Sequence, residues 1–179
     1  KNKKKIRFSN DFSLLKKCKI IYISLDVDTD QKNRSQSEKV KKLIKKTCKI
    51  INKKAILVVL SQVKPGFMRQ INFDSKRLFY QVETLVFGEA QKRALFPERI
   101  IIGKTDSKQK INDAFNNYLK KFNCPILKMK YEAAELTKIA INLYLSSTVT
   151  LTNSLDSICE KININWFEIA KALRLDKRI

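Results

Sequence analysis

The sequence predicts an α/β fold, a parallel sheet followed by an all-helical region. Three observations predict it. Four short apolar runs are rich in β-branched residues, amphipathic helical stretches lie between them, and only helical periodicity remains after Cys124-Pro125. The boundary between the two parts is placed near residue 124. With 179 residues the chain can hold one domain with a real core and part of a second.

The first predicted strand covers residues 20–25, an apolar run without strict alternation, as expected of a sheet covered on both faces. A polar loop over 28–37, without Gly or Pro, leads to a helix over 37–51. That helix places Val40, Leu43, Ile44, Cys48 and Ile51 on one side and lysines on the other. The second strand is expected over 55–60. Pro65-Gly-Phe-Met then opens a short helix with Pro in its first turn. Strands over 78–82 and 99–102 follow. The next helix, over 110–122, turns Ile111, Ala114, Phe115, Tyr118, Leu119 and Phe122 inward. Strand–helix alternation of this kind predicts parallel pairing. Residues 132–150 and 151–161 read as one long helix or two. Asn165, three residues before Glu168, has capping-box spacing and opens a last helix to about residue 173.

Composition narrows the function. The formal net charge is +21, which invites a nucleic-acid reading. The lysines are spread along the whole chain, however, so no nucleic-acid partner is expected; a basic surface suits the steering of a polyanionic small molecule. No apolar run approaches the roughly 18 residues a membrane span needs, and no apolar segment follows the charged start, so neither a membrane nor a secretory signal is expected. The first residue is Lys, and this N-terminus is expected not to be the natural start. Cys18, Cys48, Cys124 and Cys159 lack CxxC spacing, which fits a reducing cytoplasm and predicts no metal site and no disulfide framework. The absence of His removes Ser-His-Asp and Cys-His catalysis from within this chain.

Candidate site residues come from two places. In open α/β sheets ligands bind beyond the carboxyl ends of the strands. Three such ends carry suitable groups: Asp26 to Asp30 with Thr29, then Ser61-Gln62-Val63, then Glu83-Thr84-Leu85. The Pro65 helix N-terminus is expected to be able to receive a phosphate. Glu83 ends an apolar strand, where burial would raise its pKa and suit it to acid–base work. Each of these residues could equally serve a turn, a helix cap or a solvated surface; their order along the chain is what favours a site. The second place is the helix after residue 131. Lys138 and Asn142 are four apart and share a face, with Ala134, Ile141 and Leu145 nearby. An ammonium and an amide in an apolar setting must be partnered or have a task.

At these residues the chain resembles the UDP-glucose/GDP-mannose dehydrogenase family over nearly its whole length. Ile6-Arg-Phe-Ser-Asn-Asp11 resembles the family's LRFTTD piece, and residues 20–30 resemble its VVFIAVPTP strand and loop. Ser61-Gln-Val-Lys-Pro-Gly66 is similar to STVPVG, Val82-Glu83-Thr-Leu85 to PEFL, and Phe96-Pro-Glu-Arg-Ile-Ile-Ile-Gly103 to NPDRVVIG. Glu135-Leu-Thr-Lys138-Ile-Ala-Ile-Asn142 is similar to AELIKYAAN, and Leu175-Asp-Lys-Arg178-Ile to LDxRIG.

The resemblance implies a partial Rossmann-like NAD-binding domain over 1–124 and a helical central, dimerising domain over 125–179. It implies NAD-dependent oxidation of the C6 alcohol of a nucleotide-sugar, a UDP-sugar first, to the carboxylate through a cysteine-held intermediate. It gives Glu83 the acid–base role and has Lys138 and Asn142 bind substrate and stabilise negative charge on oxygen. Thr84 and Leu85 would offer backbone contacts to the substrate, and Arg178 would reach a substrate phosphate in the partner subunit of a homodimer. Thr29, Ser61, Gln62 and Val63 would line NAD. The chain departs from the pattern at Gln62, where the family has a threonine, and at Phe87, where it has a glutamate. Asp28 and Val82 stand where it has prolines. A GxGxxG fingerprint and a glycine-rich loop with the nucleophilic cysteine do not occur in these 179 residues. The chain is therefore expected to be an internal piece of a larger enzyme and not to turn over alone. The alternatives are a non-catalytic α/β-plus-helical dimerisation module and, behind it, a basic nucleic-acid-binding domain.

Overall fold

The computed structural model describes residues 7–32, 35–86, 88–106 and 108–178. Ile6, Phe87 and Ile179, which figured in the family resemblance, lie outside them. The chain divides into two compact units, Lys1–Lys138 and Ile139–Ile179.

The first unit is built on a five-stranded sheet with strands in sequence order: β1 (Ile20–Ile23), β2 (Ile56–Val59), β3 (Leu78–Val82), β4 (Ile100–Lys104) and β5 (Ile126–Lys130). Helix α1 (Glu38–Cys48) joins β1 to β2, α2 (Ala90–Leu95) lies between β3 and β4, and α3 (Asp113–Lys120) joins β4 to β5. β1, β2 and β3 are parallel, with Ile23 opposite Val59 and Val59 opposite Tyr80. β4 runs antiparallel to β3, with Tyr80 opposite Gly103, and β5 is parallel to β4.

Successive strand residues face opposite sides, so the apolar runs feed two cores. On one face Ile21, Ile23, Leu57, Val59, Tyr80 and Ile101 meet Val40 and Ile44 of α1, together with Phe67, Met68, Tyr131 and Ala134. On the other, Ile56, Val58, Phe79 and Ile102 meet Phe115 and Leu119 of α3. Each side chain buried as fully as Phe115 contributes on the order of 1.5–3 kcal/mol. The four expected strands and the expected helices at α1 and α3 are present.

Two expectations are corrected. The α/β class stands, but its sheet is mixed, not wholly parallel. Alternation of strands and helices does not by itself fix strand direction: β2 and β3 pair parallel although no α-helix lies between them, and β3 and β4 pair antiparallel although α2 does. β4 therefore returns beside β3 in the opposite direction without any change in the apolar pattern that marks both strands. Secondly, helices do not follow Cys124 directly. Residues 126–130 form β5, an edge strand whose exposed Lys128 and Lys130 keep it from reading as an apolar run.

Helix α4 (Tyr131–Lys161) begins in the first unit and is one continuous helix. Its Ser/Thr-rich stretch stays helical while hydroxyls of Thr148, Thr150, Thr152 and Ser154 donate to carbonyls one turn back. In the second unit α4 ends at a turn where Asn163 adopts a positive φ of 57° and the Ile164 amide donates to the Cys159 carbonyl. Asn165 then caps α5 (Trp166–Leu175), its Oδ1 accepting from the Phe167 amide at 3.0 Å.

Candidate active site

Parallel pairing of β1, β2 and β3 brings their carboxyl ends side by side, and with them the three candidate loops. The loop after β1 is pinned to the loop after β2: the buried Ser61 Oγ donates to the Leu25 carbonyl at 2.6 Å. Ser61 therefore holds loop shape, and its hydroxyl is already engaged. Val63 is also buried, so its backbone is what it can offer a ligand. Gln62, between them, is exposed, as is Thr29, which forms an isolated bridge with Ser35.

Beyond β3, Glu83 and Thr84 are half-buried and Leu85 is exposed. All three line a cavity of about 250 Å³ whose other walls include Tyr22, Arg93 and Tyr118. Tyr22 donates to Gln81 Oε1 at 3.4 Å, and burial pushes its hydroxyl pKa up. Arg93 is engaged by Glu98 at 3.0 Å.

The start of α4 runs along β3. Tyr131 Oη donates to the Leu78 carbonyl at the beginning of β3, at 2.7 Å. Two turns on, the half-buried Lys138 donates to the Glu83 carbonyl just past the end of β3, at 2.5 Å. The ammonium is thus fixed at the mouth of the Glu83 loop. Gly103 permits this close approach: a Cβ there would lie 2.8 Å from the Ala134 Cβ and 3.1 Å from that of Tyr80.

The structure thus unites Glu83, Thr84, Leu85 and Lys138, and separately ties the loops at Leu25 and Ser61. Asn142, in the second unit, is exposed, so the apolar setting expected for it is absent among the described residues. The apolar side chains beyond it, Leu143, Tyr144, Leu145 and Val149, are themselves open to solvent. Arg178 forms a two-point pair with Asp176, at 2.9 and 2.6 Å, which lowers the aspartate's pKa.

One expectation fails for a definite reason. The Pro65 turn does not start a helix at Pro65: Gly66 has φ of +89°, and the 3₁₀ turn spans Met68–Gln70. Its amides are already occupied. Glu135, fully buried, accepts from the Gly66 amide at 2.7 Å and from the Met68 amide at 2.8 Å. The chain's own carboxylate sits where a phosphate was expected. Burial raises the Glu135 pKa, and the two amides pull against that rise. Glu135 was not singled out by its chemistry in the sequence. The available signal was an acid sharing the inward face of α4 with Ala134, one turn before Lys138.

The free thiols of Cys18, Cys48 and Cys124 are half-buried and that of Cys159 is buried; burial pushes the Cys48 pKa up, away from nucleophilic character. Among the described residues no group of three His, Cys, Asp or Glu side chains could hold a metal, and no helix is long and apolar enough to cross a membrane.

A cofactor of the dinucleotide type suits the carboxyl ends of β1 and β2, where exposed Thr29 and Gln62 and the 61–63 backbone supply donors and acceptors. Comparison with known proteins agrees on the type of cofactor. Residues 1–122 match the family model "UDP-glucose/GDP-mannose dehydrogenase family, NAD binding domain", and residues 132–179 match that of the family's central domain. A UDP-glucose 6-dehydrogenase of Campylobacter jejuni is 32% identical over 181 residues, covering 99% of this chain and 44% of the relative. One from Rickettsia felis is 26% identical, covering 98% and 41%. In fold, the chain resembles a GDP-mannose dehydrogenase from Pseudomonas aeruginosa, with TM-score 0.83, 18% identity and coverage of 96% and 42%. A UDP-glucose dehydrogenase from Pyrobaculum islandicum gives 0.82, 22%, and again 96% and 42%. The chain thus spans less than half the length of these relatives.

Proposed function

Since the chain belongs to the UDP-glucose/GDP-mannose dehydrogenase family, we propose that it supplies part of the active site of an enzyme that oxidises the C6 alcohol of a nucleotide-sugar, a UDP-sugar first, to the uronic acid. The cofactor is NAD, in keeping with the match of residues 1–122 to the family's NAD binding domain. When bound, NAD would accept the hydride leaving the sugar carbon. We read residues 1–124 as the partial NAD-binding domain and 125–179 as the helical central domain.

The observation that carries this reading is the Lys138–Glu83 hydrogen bond. It joins two segments far apart in sequence at one loop mouth, the site where substrate oxygens would gather charge. Lys138 would hold a positive charge against an oxygen that becomes negative as the sugar reacts. Asn142, one turn along α4, would present its amide to the same substrate. Glu83, lining the cavity with Thr84 and Leu85, would move protons to and from water, while the backbone of 84–85 positions the substrate. Thr29, Ser61, Gln62 and Val63 would line NAD through an exposed hydroxyl, an exposed amide and the backbone of the pinned loop. Arg178 would exchange Asp176 for a substrate phosphate across a dimer. Exposed Leu143 and Tyr144 on α4, 65% and 76% accessible, support a homodimer made through the central helices.

The test is kinetic, in the full-length protein carrying these residues. Lys138→Ala lowers UDP-glucose turnover at least about 100-fold, as expected for loss of a charge-stabilising donor. Glu83→Gln slows processing after the first hydride transfer more than it weakens substrate binding. Near-normal turnover in both variants would refute the assignment.

A further inference from the structure

Glu135 is a carboxylate with no accessible surface, and a buried charge needs partners or a purpose. Its partners are unusual in kind. Both are backbone amides, of Gly66 and Met68, in the segment that continues the Ser61-Gln62-Val63 loop. Among the described residues no side-chain cation is seen to share that bond; Arg69 turns outward to Glu132 and Thr105. Gly66, at φ +89°, bends the backbone so that its amide and the Met68 amide converge on one carboxylate. The hydroxyl of Tyr80, on β3, is buried and feels both the Glu135 carboxylate and the Val63 backbone.

Glu135 lies one turn before Lys138 on α4. The same two helical turns therefore grip two segments: the post-β2 loop through Glu135, and the post-β3 loop through Lys138. We propose that Glu135 is a positioning residue that sets the NAD-side loop, 61–68, in register with the substrate-side loop, 83–85, by clamping the first to the helix that holds the second. This rests on the functional reading above, in which the first loop lines NAD. A carboxylate suits the task because it accepts two amides at once; a glutamine accepts one and turns an N–H toward the other. The clamp touches neither substrate nor cofactor. Loosening it should affect the cofactor's fit before that of the nucleotide-sugar.

Two measurements on the full-length Glu135→Gln protein decide the matter. Hydrogen exchange followed by mass spectrometry should show the peptide spanning 64–70 exchanging at least about tenfold faster, with peptides from β2 and β3 unchanged. Steady-state kinetics should show KM for NAD rising about tenfold, with KM for the nucleotide-sugar within about twofold. Unchanged exchange at 64–70 overturns the clamp. Acceleration spread evenly over the strands overturns positioning in favour of general core stability, as does a kcat that falls with the folded fraction at constant KM. Local acceleration with an unchanged KM for NAD overturns the link to the cofactor. If Glu135→Gln does not fold, Glu135→Asp takes its place, and the wild-type protein must show Gly66 and Met68 protected; unprotected amides overturn the clamp. If the wild-type protein reduces no NAD, the functional reading fails by itself, while the exchange result still decides the clamp.

Discussion

At the scale of single residues, two side chains on α4 hold together what distant parts of the sequence supply. Lys138 was legible: a cation at helical spacing from an amide, in a segment otherwise apolar, asks for a task. Its partner was not, because it is the Glu83 backbone carbonyl, a group every residue owns. Glu135 was less legible still. An acid in a helix usually faces water, and only packing reveals that this one faces Gly66 and Met68. Its burial has a consequence for pH. The carboxyl is held above its ordinary value of 4.5, first by desolvation, with Glu132 also raising it and the two amides and Arg69 opposing. Tyr80 and Tyr131 are the other titratable groups that feel it. As pH rises past 4.5 the unfolded chain loses this proton before the folded one does. Stability due to this group therefore falls as pH rises through the window just above 4.5. Urea midpoints of wild type and Glu135→Gln, compared across that window, should show wild type losing ground as pH rises; a relative gain would contradict the assignment.

At the scale of elements, β1 to β4 were readable because each is a dense apolar run, and α1 and α3 because their apolar stripes repeat with the helical period. What escaped was direction and the edge. The reversal at β4 leaves no mark in the apolar pattern, which reads the same for either direction, and β5 is masked by lysines that face solvent. The meeting of α4 with the sheet depends on one small residue. Gly103 on β4 lies under Ala134 and beside Tyr80, and an added methyl would come within 2.8 Å of one and 3.1 Å of the other. Neither neighbour has a flexible end that could give way. Gly103→Ala should therefore cost about 1–3 kcal/mol of stability, as overpacking does, and thermal or urea unfolding would read it. A change within a few tenths of a kcal/mol would show that α4 is not seated there as described.

At the scale of the molecule, the sheet unit presents three parallel strand ends with their loops tied, and the helical unit carries Asn142, Arg178 and an open apolar face. Composition removed histidine chemistry from within these 179 residues alone, and ordered motifs identified the family. The positions of Asn142 and Arg178 relative to a substrate were not readable, since both are exposed in the unit that follows. The central claim is that these residues serve the oxidation of an alcohol to a carboxylate, a four-electron change. The most direct measurement is the stoichiometry of the full-length protein: NADH formed per UDP-glucose consumed, followed to completion. Two NADH for each sugar, with a uronic acid as product, is the predicted result. No NADH, or a single NADH with the reaction stopping at the aldehyde, would contradict it.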